Sequence, residues 1–143
     1  MSAVAKDIEP AAGTGATARL AAHAARTRYE DFSPAVIHAF KRAFQDHLAC
    51  AIAGSAMPVS RSVLAYFEET DPARTASVIG TRARLSAQNA ALVNGANTHG
   101  LDFDDGHTNG SAHPSGAVFP AVLAAAEQYR SSPREIITAV VLG

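Results

Sequence analysis

Only one cysteine, Cys50, occurs in the 143 residues, so no disulfide can close within the chain. That scarcity points to a reducing compartment, and the cytoplasm is the expected location. Cys50 falls inside an apolar helical pattern, where a lone thiol is most simply a small buried hydrophobe. An excess of either charge is also missing: 12 Lys and Arg stand against 13 Asp and Glu. Without a cationic surplus, neither nucleic acid nor an anionic membrane surface is an expected partner. No stretch approaches the roughly 18 apolar residues of a membrane span. Lys6, Asp7 and Glu9 interrupt the N-terminus where a secretory signal needs a continuous apolar run. The chain has no internal repeat, and neither HExxH nor CxxC, the spacings that make a metal site specific, is present.

What is present supports one globular domain. A 48% hydrophobic and 17% charged composition at this length provides a modest core. Residues 1–15, rich in Ala and Gly and without a sustained period, are expected to be a mobile tail, followed by a single helical domain over 16–143. Thr17 is positioned to cap a first helix from Ala18 to about Arg28, with Leu20, Ala21 and Ala24 on one face. Ser33-Pro34 predicts a strong helix start, followed at helical spacing by Val36, Ile37, Phe40, Phe44, Leu48, Ala51 and Ile52, with Gly54 as the stop. A shorter helix is expected from Ser60 to Glu69 with Val63, Leu64 and Phe67 inward, ended by Asp71-Pro72. Ala76–Ile79 suits a small strand or an extended connection, and Ser86 caps a helix through about Thr98. Another helix spans Ser115 to about Tyr129, where Pro120 either marks the start or introduces a kink. Ser132-Pro133-Arg134-Glu135 is a capping box, and Ile136, Ile137, Val140, Val141 and Leu142 follow it. The fold class is all-α.

Chemistry concentrates in the polar loop between the last long helices. Fifteen positions, His99 to His113, hold Asp102, Asp104, Asp105 and three of the six histidines, His99, His107 and His113. Moving a proton at a carbon beside a carboxylate needs a group that titrates near the working pH, and imidazole is the natural one. A neighbouring carboxylate orients the ring and stabilises its charged form. His113 precedes Pro114 at a helix start, whose free N–H groups suit a substrate carboxylate. Blander roles stand beside these. Asp104-Asp105-Gly106 makes a good turn, and His99 suits a hydrogen-bonded core histidine. Asp102, Asp104, Asp105, His107 and His113 are also donor types for a divalent ion, as in a metal-dependent hydrolase, but Asp-x-Asp-Asp-x-His is not a specific spacing.

The string Asn94-Gly95…His99-Gly100-Leu101-Asp102-Phe103-Asp104-Asp105…His113-Pro114-Ser115-Gly116-Ala117-Val118-Phe119-Pro120-Ala121 resembles the signature region of the MmgE/PrpD family. Asp46–Gly54 and Ser86–Gly95 are similar to its early core helix and to the lead into that signature, so the likeness extends from about Ser33 onward. The family includes 2-methylcitrate dehydratase and cis-aconitate decarboxylase. The resemblance implies a helical domain, joined in complete members to an α/β lid domain, working without metal or organic cofactor and forming homodimers. It implies that Asp102 and His113 line the pocket, with His113 as acid/base, and that Gly106, His107 and Ser115 sit at substrate-binding positions. Asp104, Asp105 and His99 then belong to the structural part of the motif. Gly106 departs from the threonine of many members, which removes one substrate hydrogen bond and leaves His107 as the nearest substitute. The family's remaining catalytic histidine, lysines and tyrosine correspond to sequence beyond Gly143.

The expected function is therefore the N-terminal part of a cofactor-independent lyase acting on a small di- or tricarboxylic acid. The alternative is an inactive remnant or helical interaction module. That alternative draws on the abrupt end after Leu142 and on the lack of cations by the loop, since Lys41 and Arg42 lie on the early core helix. A last helix that is apolar on several sides predicts self-association of the isolated chain. Light scattering after size exclusion checks this, and a monodisperse monomer that unfolds cooperatively would contradict it.

Overall fold

Prolines open four of the helices. Pro34, Pro58, Pro114 and Pro133 each sit in a first turn, where the missing amide has no intrahelical partner to lose and the fixed φ suits the helix. The computed structural model describes residues 15–143. Their order is α1 (Ala16–Arg26), α2 (Pro34–Gly54), α3 (Pro58–Thr70), β1 (Ala76–Ser77), β2 (Arg84–Leu85), α4 (Ala87–His99), α5 (Pro114–Tyr129) and α6 (Pro133–Leu142). Apart from Gly15, the expected tail lies outside the described residues. The all-α class holds: the only strands among the described residues form one short antiparallel pair, Ala76 opposite Leu85 and Ser77 opposite Arg84.

Local capping chemistry accounts for the boundaries of α2, α4 and α6. Ser33 accepts from the Val36 amide, Ser86 from that of Asn89, and Ser132 from that of Glu135, whose carboxylate accepts the Ser132 amide in return. Elsewhere the structure corrects the expectation. Thr17 lies inside α1, which begins at Ala16 without a side-chain cap, and Leu20, Ala21 and Ala24 face solvent. The third helix starts at Pro58, and Ser60 is buried within it, its hydroxyl donating to the Ala96 carbonyl. Ile52 points outward, 56% exposed. Pro120 does not start α5; it is buried inside a helix that runs through it.

Helix α4 sits in the middle, against α2, α3, α5 and the hairpin. Its close approaches depend on missing side chains. A Cβ on Gly54 would lie 1.9 Å from the Asn97 carbonyl oxygen, so Gly54 is required for the α2–α4 crossing rather than as a flexible stop. On the other side, Gly95 faces the Gly116 carbonyl, whose usual amide partner four residues on is replaced by Pro120. Asn94 and Asn97, both buried, pin α4 to the chain after β1. Asn94 accepts from the Ile79 amide and donates to the Ser77 carbonyl, and Asn97 donates to the Ile79 carbonyl. Ala76, Val78, Leu85, Ala90, Val93 and Ala124 form the apolar core, with Val63, Leu64 and Phe67 packed against it as expected. No single helix among the described residues is long and apolar enough to cross a membrane.

Two buried polar side chains went unremarked in the sequence. Asp71, read only as a helix terminator, accepts from the amides of Ser86 and Ala73 and from the Asn89 amide group, which holds its carboxyl well below the usual range. His47 on α2 is fully buried and stacks on Phe119 with ring centroids 4.9 Å apart. The Thr98 hydroxyl gives its hydrogen to the Asn94 carbonyl, so its 3.2 Å contact with His47 Nδ1 has the imidazole as donor. Nε2 is then a bare buried acceptor without a protein partner. Burial lowers the His47 pKa to about 4, against the opposing pull of Asp105 and Asp104.

Two predictions follow from these contacts. Gly54→Ala forces α2 and α4 apart and is expected to cost about 3 kcal/mol in urea unfolding, whereas Gly106→Ala, with open space around it, is neutral. Equal midpoints for the two variants would contradict the crossing. For pH, the unfolded chain binds a proton at His47 below about pH 6.5 while the folded chain does not, so stability falls between about 6.5 and 4. The loss is on the order of 3 kcal/mol, and His47→Leu flattens that part of the profile. Asp71 adds a second loss, beginning as the pH falls below the ordinary carboxylate range. A wild-type profile that is flat from pH 6.5 to 4 would contradict the assignment to His47.

Candidate active site

The end of α4 and the start of α5 carry the site, and the loop between them folds back across both. Immediately after α4 the Asp102 amide donates to the His99 carbonyl, and Asp102 takes a left-handed conformation with φ of 51°. Such a backbone is uncommon for a residue other than glycine and is best tolerated by Asn and Asp. This turn brings Asp104 back beneath the helix end, where its side chain is completely buried. Oδ1 of Asp104 accepts from His99 Nδ1 at 3.0 Å and lies 3.4 Å from His113 Nδ1. The two rings meet edge to face with centroids 4.7 Å apart. Both imidazoles remain accessible, with side-chain exposures of 53% for His99 and 41% for His113. The hydrogen bond to Asp104 raises the His99 pKa, aided by the charges of Asp104 and Asp102.

The neighbouring acid does a different job. Asp105 Oδ1 accepts from the Ser115 amide at 3.0 Å and so caps α5, whose N-cap residue, His113, makes no side-chain cap. One of the helix N–H groups expected to be free for a substrate carboxylate is therefore occupied. Pro114 at the first helical position contributes no amide. His107 Nδ1 accepts from the Gly110 amide, and the His107 and Ala112 backbones pair, closing a small turn over 107–112.

The sequence-derived residues thus separate. His113 and Asp102 are brought together, with donor atoms of His99, Asp102, Asp104 and His113 all within 4.8 Å of one another. That spacing suits a divalent ion as well as a proton-transfer site, and these four are the residues that would hold one. His107 and Asp105 fall outside the cluster. His113 takes Asp104 as its carboxylate partner, where Asp102 was expected. Asp104 and Asp105 are structural in that one orients imidazoles and the other caps α5. His99 is hydrogen-bonded, as expected of a core histidine, but stands in solvent; the core histidine is His47. Ser115 is buried, its amide engaged by Asp105. Gly106 is exposed, with nothing within 4 Å of an added Cβ, so a hydroxyl side chain would fit at that position.

Cationic character was also underestimated. Arg42 lines a surface depression together with Gln45, Asp46 and Asp105, so α2 carries a guanidinium to the edge of the signature loop. Phe103 lies on the outside of that loop, 80% exposed.

The cis-aconitate decarboxylase-like protein oryM of Aspergillus oryzae is 29% identical over 121 residues, 85% of this chain and 25% of its own length. The cis-aconitate decarboxylases of Mus musculus and Homo sapiens are 34% and 35% identical over 101 and 100 residues, in each case 69% of this chain. They are covered over 20% and 21% of their lengths, so the chain spans a fifth to a quarter of these relatives. Residues 18–143 match the MmgE/PrpD N-terminal domain, and the chain belongs to that family.

Proposed function

We propose that this chain supplies the His113 part of the active site of a lyase that dehydrates or decarboxylates a small di- or tricarboxylic acid. The observation that carries the proposal is the completely buried Asp104 carboxylate, with two accessible imidazoles at 3.0 and 3.4 Å. His113 exchanges the proton at the carbon beside a substrate carboxylate, which is work for an imidazole near neutral pH. Asp104 orients the ring through Nδ1 and leaves Nε2 to face the substrate. Asp102 stands within the same cluster. Homodimer assembly through the helical domain belongs to the same proposal, as do groups contributed by the rest of a full-length enzyme. Similarity to cis-aconitate decarboxylases supports the reaction class, while the open space at Gly106 favours a substrate with a different contact there.

The test is turnover of 2-methylcitrate, citrate and cis-aconitate by the protein that carries this chain at the length of its relatives. His113→Ala is expected to lower kcat by about 10²- to 10⁴-fold, and Asp104→Asn to lower kcat and raise KM together. Absence of turnover with every such acid would overturn the proposal. A second reading, a divalent metal centre, draws on the 4.8 Å cluster. Stoichiometric metal in protein purified without added ions, lost in Asp102→Ala, would favour it.

A further inference from the structure

We infer that His99, Asp102, Asp104 and His113 take up a zinc-type divalent transition ion, and that the ion silences the lyase site by occupying it. The silencing rests on the lyase proposal; the ion site does not. A resident metal centre differs, because it would need the ion for turnover. Each of the four residues offers a donor atom, and these atoms lie within 4.8 Å of one another. Three of them are already closer, with Asp104 Oδ1 at 3.0 Å from His99 Nδ1 and 3.4 Å from His113 Nδ1. Zinc bonds of about 2.0–2.2 Å to nitrogen and oxygen set neighbouring tetrahedral donors roughly 3.3–3.6 Å apart. The trio therefore needs only a small spread to admit an ion. Asp102 is exposed on the turn, and rotation of its side chain supplies the fourth donor.

Two features of Asp104 point to a ligand independently of this spacing. Its side chain is completely buried, yet Oδ2 has no protein donor, so half of a charged group is unanswered. A Cβ at Gly116 would lie 3.2 Å from that oxygen, and the glycine keeps this side of the carboxylate clear of a side chain. With both rings neutral, Asp102 and Asp104 carry two negative charges, which one divalent ion balances. The donor set also selects the ion. Two imidazoles and two carboxylates suit zinc and its neighbours, whereas magnesium and calcium need more oxygen ligands than this cluster supplies.

Occupation changes what the rings can do. A neutral imidazole carries one hydrogen, on either ring nitrogen. With the hydrogen on Nδ1, the ring donates to Asp104 and Nε2 keeps a lone pair for a substrate proton. With the ion on Nδ1, the hydrogen stands on Nε2 and no lone pair remains. His113 then cannot accept the proton that the lyase reaction requires it to take. No bond to carbon is made or broken, and removal of the ion restores the first tautomer.

Isothermal titration of the untagged chain with zinc chloride tests the site without reference to turnover. One zinc per chain is expected, with no comparable binding of magnesium or calcium. His99→Gln and Asp102→Asn are both at exposed positions, and the second keeps a residue that tolerates the left-handed turn. Each should weaken zinc binding by at least about tenfold with the helical circular dichroism unchanged. No zinc binding, equal binding of magnesium, or zinc binding that neither substitution weakens would overturn the site. Turnover by the full-length protein at buffered free zinc tests the consequence, and activity is expected to fall as the site fills and to return with a chelator. Turnover unchanged or raised at saturating zinc would overturn the silencing, while the titration would still establish the site. Absence of turnover without zinc would overturn the lyase proposal and the silencing with it, and the titration then decides the site alone.

Discussion

A carboxylate removed from water is costly unless its oxygens find donors, and Asp104 meets that requirement only at Oδ1, through two histidines that themselves stay in solvent, while Oδ2 is buried without a protein donor. The arrangement reverses the usual division of labour in a loop, where acids face water and apolar groups are hidden. Here the acid is the anchor and the imidazoles are the working surface. Since Oδ1 receives both rings, any movement of Asp104 disturbs His99 and His113 together. The chemistry proposed for the site therefore depends on keeping one side chain buried at one place.

That place is defined by α4. Its C-terminus delivers His99, and the turn that follows returns Asp104 beneath it, so the position of α4 determines where the carboxylate lies. Two asparagines fasten α4 to the strand side, while glycines allow α2 and α5 to approach it on the other sides. The core has few large side chains, and Ala76, Ala90 and Ala124 are among its members. Small residues give close backbone approach, and hydrogen bonds then decide register where bulky apolar groups would otherwise do so. Asp71 and Asp105 add the same kind of order by capping helices from neighbouring segments. This domain is thus held around its signature loop by polar contacts within a small apolar core.

Much of this was legible in the sequence wherever the cause is local. Ser33-Pro34, Ser86 and the Ser132–Glu135 box announced their helices because a cap and its amide are only a few residues apart. The signature string located the site for the same reason, with all its residues on one short stretch. What was hidden depended on tertiary geometry. Asp102 rather than Asp104 was paired with His113, because nothing local marks the left-handed turn at Asp102, which is occupied by Asp and not Gly. His99 was expected in the core but stands in solvent, while the buried ring is His47, for which nothing was expected. His47 lies three residues after Phe44, on the apolar face of α2, and that spacing was the available signal for a buried ring. Arg42 reaches the loop only because α2 packs beside α5, which no spacing in the chain reveals.

The most direct test of the central claim is amide chemical-shift mapping of the chain at neutral pH as citrate is added. If the Asp104-centred histidine pair is a recognition site for polycarboxylates, the largest shifts fall on His99, Asp102, Asp104, His113 and Ser115, and Asp104→Asn removes them. Shifts spread over the surface cations, or a pattern unchanged by Asp104→Asn, would contradict the account.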